Sequence, residues 1–309
     1  MAVAGAGPRP LPKFSVSRQV ADALASGVPV VALESTIISH GLPQPRNLEV
    51  AIELEDLVRR GGACPATIAV LDGVPHVGLD EPGLRRVATE PGFRKIGLRD
   101  IAPAIASRSS GATTVSATSF LAHRAGLRLF ATGGLGGVHR GWASSQDESA
   151  DLEVLARTPL TVVCAGVKSI LDVPATLQRL ETLNVTVLGY RTSTFPGFYL
   201  NSSGEPLDWR VEDPAAVAAV VRSRDELGAV SSVVVANAIG LEDQLDPELH
   251  DAVLADALAG AERDGVRGQA LTPYLLDAMV RGTAGASLEA NLAAVRSNVA
   301  LAVEIAGEL

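Results

Sequence analysis

The chain carries three lysines against 23 arginines, and two of the three, Lys95 and Lys168, stand in apolar surroundings. Lys95 follows Pro91-Gly92-Phe93-Arg94, and Lys168 sits within Val162-Val163-Cys164-Ala165-Gly166-Val167-Lys168-Ser169-Ile170-Leu171. Lys13 belongs to a Pro/Gly-rich tail expected to stay unfolded. A sequence that uses arginine for nearly every surface cation retains lysine where arginine does not serve. Guanidinium stays charged and delocalised, whereas a desolvated lysine can lose its proton and become an amine nucleophile. Lys168 therefore reads as a Schiff-base or phosphate-binding lysine, set against the plainer reading of compositional drift.

Three further constellations accompany it. Glu34-Ser35-Thr36 directly follows Val30-Val31-Ala32-Leu33. A carboxyl group at the end of a buried strand is pushed toward its protonated form and suits a general acid, although an ion pair at a sheet end is an equal alternative. Thr132-Gly133-Gly134-Leu135-Gly136-Gly137-Val138-His139-Arg140-Gly141 also follows an aliphatic run. Four glycines in five positions let backbone N–H groups approach an anion, yet neither a Walker loop nor a dinucleotide fingerprint is present. The bland alternative is a flexible surface loop. Asp147-Glu148-Ser149-Ala150-Asp151 opens a helix near Leu152; such acids are commonly caps, and three of them can also hold a hard divalent cation. Asn237 and Asn291 read first as structural hydrogen-bond partners, and His40, His76, His123 and His250 show no metal-ligand spacing and receive no chemistry.

With 309 residues, the chain is long enough for one large α/β domain or two small ones. Hydrophobic residues make up 47% and aromatics 4%, so the core must be built from Ala, Val, Leu and Ile, which suits helices packed on a buried sheet. A net charge of −9 without a basic cluster disfavours nucleic-acid binding. Cys64 and Cys164 lie in apolar contexts and fit a reducing cytoplasm better than a disulfide scaffold. No signal-peptide pattern and no run of ~20 apolar residues occurs, so the expectation is a soluble, cytoplasmic protein without a membrane partner.

Periodicity predicts the elements that must position these residues. Strands are expected at Val28 to Leu33, Thr67 to Leu71, around His76 to Leu79, and at Leu127 to Ala131, Leu160 to Cys164, Val185 to Leu188 and Val230 to Val235. Asp72-Gly73 reads as the turn between the second and third of these. Helices are expected after an Asn47 cap, then at Ala117 to Ala125, Ser169 to Leu183, Pro214 to Leu227, Leu249 to Arg263, Pro273 to Arg281 and Leu288 to Ile305. The expected architecture is a three-layer α/β/α fold with a mixed, largely parallel central sheet and a helical C-terminal region, residues 13–309 forming one domain behind a disordered tail, residues 1–12. The chemical residues fall after aliphatic runs, at strand ends, where open α/β sheets place their ligands.

The same segments closely resemble the pseudouridine-5′-phosphate glycosidases, the indigoidine-synthase-A-like family. The resemblance is carried by Val31 to Ile38 with His40-Gly41, Pro65 to Ala69, Gly111 to Val115, Phe130 to Gly141, Ser149 to Leu152, Val162 to Asp172 and Val234 to Asn237, in order from about Ser15 to the C-terminus. It implies cleavage of the C–C bond of pseudouridine 5′-phosphate to uracil and ribose 5-phosphate, with one divalent cation per subunit, typically Mn²⁺, in a homotrimer. By this resemblance Lys168 is the nucleophile and Glu34 the proton donor. Lys95, Val115, Ser149, Ala150 and Asp151 are substrate contacts, Asp147 is the metal ligand, and Thr132, His139 and Asn291 line the pocket. Gln146 and Glu148 stand where the family has apolar residues, and Ala238 stands where proline is usual.

The chemistry agrees with the residue types. A C-glycosidic bond has no leaving-group oxygen to protonate, so the two-carboxylate route of ordinary glycosidases suits it poorly. An amine can instead form an iminium on the opened sugar, an electron sink for C–C cleavage. Two rivals share these residues: a Schiff-base lyase or aldolase acting on another sugar phosphate, and a non-catalytic sugar-phosphate-binding protein.

Overall fold

The computed structural model describes residues 14–309; the tail expected to be disordered, and Lys13 with it, lie outside the described residues. Among the described residues eleven strands follow one another: β1 (Ser15–Val16), β2 (Val30–Leu33), β3 (Cys64–Leu71), β4 (Val74–Val77), β5 (Arg94–Ile96), β6 (Gly111–Thr113), β7 (Leu129–Ala131), β8 (Thr161–Cys164), β9 (Thr186–Tyr190), β10 (Arg210–Val211) and β11 (Val233–Asn237). The main path is β1-β4-β3-β2-β7-β8-β11-β9-β10, with β6 on β3 and β5 on β6. Every pairing is parallel except β3–β4 and β3–β6. The sheet is thus mixed and largely parallel, with helices on both faces, the three-layer α/β/α arrangement expected.

The aliphatic runs form strands because both faces are buried and successive side chains serve opposite cores. Val31, Leu33, Val163, Val233 and Val235 pack under helices Arg46–Arg60, Pro214–Glu226 and Ala286–Ala306. Ala32, Phe130, Val162, Cys164 and Val234 face the other layer, where helices Val115–Arg124, Ala150–Arg157 and Pro247–Arg263 lie. Both cysteines are buried free thiols, and burial pushes Cys164 up to about 12. No helix among the described residues is long and apolar enough to cross a membrane.

Strand β3 divides one of its edges between two partners. Its first half, Cys64 to Thr67, pairs with β2, while Ala69 and Val70 pair with β6. Since β4 occupies the opposite edge, β2 and β6 share one edge of β3 and meet C-terminus to C-terminus. A buried hydroxyl knot closes the junction. Ser35 Oγ and Thr113 Oγ1 both donate to the Ile68 carbonyl at 2.6 Å, Thr113 N donates to Ser35 Oγ at 2.9 Å, and Thr36 Oγ1 donates to the Thr113 carbonyl at 2.7 Å.

Several expected boundaries shift for identifiable reasons. Asn47 does not cap its helix, which opens at Arg46; instead its buried amide donates to the carbonyls of Ile38 at 3.0 Å and Ala88 at 2.8 Å. The helix expected from Ser169 starts at Val173, because Asp172 caps it through the Ala175 N–H at 3.0 Å. Helices Glu81–Thr89 and Leu98–Ala106 and the three-residue strands β5 and β6 carry too short a pattern to read from periodicity. The Asp72-Gly73 turn forms as expected, both residues at positive φ between β3 and β4.

The hydroxyl knot leads to a direct expectation. Ser35→Ala removes a fully buried donor–acceptor and orphans the Thr113 N–H, so it should lower unfolding stability by about 1–3 kcal/mol in urea titration. A loss well under that range would mean the two strand ends are held together by packing alone.

Candidate active site

The register of the parallel sheet assembles the site. Leu33 on β2 pairs with Ala131 on β7, and Ala131 pairs with Val163 on β8. The residues one step beyond, Glu34 and Thr132, therefore emerge side by side, and the Thr132 hydroxyl donates to Glu34 Oε1. Beyond β8 the chain turns at Gly166, whose φ of 85° favours glycine and whose missing Cβ leaves room for the Pro196 carbonyl. Two residues later Lys168 Nζ donates to the Gly134 carbonyl at 2.7 Å.

The loops after β7 and β8 continue the sheet instead of waving in solvent. Thr132 N donates to the Val163 carbonyl at 3.0 Å, Ala165 N to Gly133 at 2.8 Å, Leu135 N to Gly166 at 2.9 Å and Lys168 N to Leu135 at 3.1 Å. The four glycines are here for packing. None has positive φ, and a Cβ would collide with the Phe198 ring at Gly134, Ser149 at Gly136 and Thr176 at Gly137. At Gly133 it would press on Asn291 Oδ1 and Val295. Several N–H groups of the loop are already committed: Gly136 N donates to Asp151 Oδ2 and Val138 N to Thr176 Oγ1, both at 2.9 Å. Close packing is therefore a requirement these glycines meet in the folded chain, and the flexible-loop alternative fails on burial.

Glu34, Lys95, Lys168 and Asp151 form one electrostatic neighbourhood. Burial raises the Glu34 carboxyl above its ordinary value, more than the nearby Lys168 ammonium and the Thr132 hydroxyl lower it. Lys95 projects from β5 at the open mouth. Enclosure by surrounding atoms, then Lys168, depress its pKa, and water at the mouth screens part of that effect. Asp151, buried in the first turn of helix Ala150–Arg157, accepts from Ser116 N and Gly136 N at 2.9 Å each, so its carboxylate ties three segments together. Ser149 caps that helix and Ala150 begins it. Val115 has a buried side chain at the start of helix Val115–Arg124 and can offer a ligand its backbone.

His139 is buried, and burial holds its ring below the usual imidazole range against the pull of Asp147. His139 N donates to the Asp147 carbonyl at 3.0 Å. Asp147 itself is half-buried, whereas Glu148 is paired with Arg179 through two contacts of 3.1 Å. No group of three or more His, Cys, Asp or Glu side chains among the described residues is arranged as a metal cage. With Glu148 engaged by Arg179, Asp147 is the carboxylate of this pair that no arginine holds among the described residues.

Two contributors escaped the sequence reading. Asn298 is fully buried; it donates to the Thr132 carbonyl at 2.8 Å and accepts from Asn237 Nδ2 at 3.0 Å, bracing the loop under Glu34. Its signal was an asparagine inside an otherwise small and aliphatic stripe. His40 lies in a π-type turn, Ile37–Gly41, with its ring against the Phe93 carbonyl at 3.2 Å and close enough to Lys95 to feel its charge. Asn291, expected in the pocket, packs on Gly133 with a buried Oδ1 that has no hydrogen-bond partner among the described residues. The small cavity lined by Glu34, Ile37, Thr132 and Gly133 adjoins this point. A larger cavity of about 430 Å³, lined by Arg191, Asn201, Asn237 and Glu304, opens elsewhere, at the ends of β9 and β11.

Folding raises the Glu34 pKa above 4.5, so the folded chain keeps a proton that the unfolded chain has released. Stability from this group is therefore greatest below that value and declines as pH rises through the folded pKa. Glu34→Gln should flatten that decline and leave the protein more stable than wild type at neutral pH, measured by urea midpoints from about pH 4 to 8. Parallel pH curves for the two proteins would place the raised pKa elsewhere.

Comparison with known proteins places this arrangement. The family model of indigoidine synthase A like protein matches residues 19–308. A pseudouridine-5′-phosphate glycosidase of Streptomyces griseus is 65% identical over 292 residues, covering 94% of this chain and 90% of that protein. One from Frankia alni is 62% identical, covering 94% and 81%. Among solved structures, the prealnumycin C-glycosynthase AlnA in complex with ribulose 5-phosphate superposes with a TM-score of 0.90 at 37% identity, covering 97% of this chain and 98% of that one. With its glutamate and lysine on either side of β7 at the same end of the sheet and a match that runs through nearly every described residue, the chain belongs to the indigoidine synthase A-like family.

Proposed function

We propose that this protein is a pseudouridine-5′-phosphate glycosidase, reversibly cleaving the C-glycosidic bond to uracil and ribose 5-phosphate. The observation that carries the reading is a protonation-prone Glu34 and Lys168 placed on either side of β7, beyond the ends of β2 and β8 and close enough to interact electrostatically, in a chain 65% identical to a glycosidase of that name. Its structural neighbour, a C-glycosynthase holding a sugar phosphate, supports the same substrate class.

In the cleavage direction, protonated Glu34 gives its proton to the ribose ring oxygen, and the bond from that oxygen to the anomeric carbon breaks. The Lys168 amine bonds to that carbon. The ammonium so formed gives a proton to the Glu34 carboxylate, and the freed nitrogen lone pair forms the iminium. The C–C bonding electrons leave with the base, whose carbon takes that proton from Glu34 to give uracil. Water hydrolyses the iminium, releasing ribose 5-phosphate and regenerating the amine. Thr132 orients Glu34, and the Gly134 carbonyl orients Lys168. Lys95 at the mouth, with the backbone at Val115 and at Ser149 to Asp151, is suited to the phosphate and sugar oxygens. His139 and Asn291 line the remaining side.

The proposal includes one Mn²⁺ per subunit, held by Asp147 and retained waters. Bound there, it would supply positive charge to hard oxygen atoms of the substrate. A homotrimer in the cytoplasm completes it, supported by the family resemblance and by the two buried free thiols.

Ultraviolet monitoring of uracil release tests the reading; an aldolase or a binding protein would release none. Lys168→Arg should abolish turnover and also the adduct trapped by borohydride with ribose 5-phosphate, which mass spectrometry should locate on Lys168. An adduct on Lys95 would reverse the two roles. Glu34→Gln should still bind ribose 5-phosphate but release uracil ~10²–10⁴ times more slowly, the usual cost of losing a positioned acid. Chelation should remove most activity and Mn²⁺ restore it, whereas full activity without metal would leave Asp147 as part of a helix start.

A further inference from the structure

Immediately after Lys168, Ser169 points away from the pocket chemistry into the C-terminal helical layer. Its side chain is buried, and Ser169 Oγ lies 2.8 Å from His250 Nε2. The other ring nitrogen, His250 Nδ1, lies 2.9 Å from Asp251 Oδ1. His250 is 5% exposed and Asp251 is 79% exposed, so the line runs from solvent through a buried imidazole to the residue beside the lysine. The Asp251 carboxylate can only accept, which in the neutral ring places the proton on Nδ1 and leaves Nε2 to accept from the Ser169 hydroxyl.

The surroundings make this contact a fixed strut. His250 sits in the first turns of helix Pro247–Arg263, whose start is capped by Asp246 through the Leu249 N–H at 2.8 Å. The Tyr199 ring meets the imidazole edge-on at a centroid distance of 6.3 Å, and it packs, tilted, with its centroid 4.5 Å from that of Phe198, the ring that fills the space beside Gly134. On the Lys168 side, the Ser169 carbonyl accepts from Arg140 at 3.3 Å. Ser169 is thus gripped at its side chain by one helix and at its backbone by the glycine loop's arginine.

We infer that His250, acting through Ser169 and held in one tautomer by Asp251, is a positioning residue that fixes the Lys168 turn in its reactive geometry. The inference rests on the glycosidase reading for its kinetic consequence but not for its structural one. A nucleophile displaced by an ångström loses rate even when binding is intact. The side-chain amide oxygen of a glutamine at 250 can occupy the place of Nε2 and accept from Ser169, whereas asparagine reaches the Nδ1 position and leaves Ser169 unpartnered.

The test uses full-length wild type, Ser169→Ala, His250→Asn and His250→Gln. Reductive methylation, read by peptide mass spectrometry, compares Lys168 with Lys95 as an internal standard, and steady-state uracil release is measured in parallel. Ser169→Ala and His250→Asn should change the Lys168-to-Lys95 labelling ratio several-fold and lower kcat up to about 100-fold, with KM within about twofold of wild type. His250→Gln should restore both. Unchanged labelling and kcat in Ser169→Ala and His250→Asn would overturn the inference. So would a His250→Gln variant as impaired as His250→Asn, since ring volume would then be what matters. If wild type released no uracil while the labelling ratio still responded, the glycosidase reading would fall and the positioning role would stand.

Discussion

The Ile68 carbonyl, accepting two buried hydroxyls at once, marks the constraint on which the rest of the molecule depends. A strand has two edges, and β3 gives one of them to β2 along its first half and to β6 along its second. Two chain segments that end on the same edge and run toward each other must meet. Glu34 leaves β2 at that meeting point, and Val115 leaves β6 there. Lys95 is carried alongside on β5, paired opposite Ala112. Acid, cation and helix N-terminus are brought together by strand pairing alone, before any side chain in the pocket has made a contact.

The second requirement is stiffness around the lysine. Loops are ordinarily the soft part of an α/β fold, but the segments after β7 and β8 exchange four backbone hydrogen bonds and behave as an extension of the sheet. Such close approach leaves no volume for side chains, which explains Gly133, Gly134, Gly136 and Gly137 better than conformational freedom does. Asp151 and Asn298 bind the same loop from opposite layers. A lysine and a carboxyl group held this way have little freedom to reorient. The cost appears at Glu34, whose carboxyl is enclosed enough to resist ionisation.

The C-terminal helices contribute more than cover. Helix Ala286–Ala306 supplies Asn291 and Asn298 against the glycine loop, and helix Pro247–Arg263 supplies His250 behind Lys168. The pocket is built on the sheet but braced from this later part of the chain, so the helical region is part of one mechanical unit with the strand ends.

How much was legible in the sequence follows from how local each signal is. Glu34, Thr132 and Lys168 each follow an aliphatic run, and a buried strand announces itself by its own composition; its end therefore does too. Lysine scarcity marked Lys95 and Lys168 without reference to any neighbour. The layers, the largely parallel sheet and the C-terminal helices followed from the same periodicity. Partnerships across long separations did not. Ser35 meets Thr113 78 residues away, Ser169 meets His250 81 residues away, and Thr132 meets Asn298 166 residues away. A serine, histidine or asparagine has the same appearance in a sequence whether it caps, braces or faces water, because its role is set by which atoms folding brings within 3 Å. The glycines show the same division: their clustering was visible, but the reason for it lay in Phe198, Thr176 and Ser149, whose proximity only the tertiary structure decides.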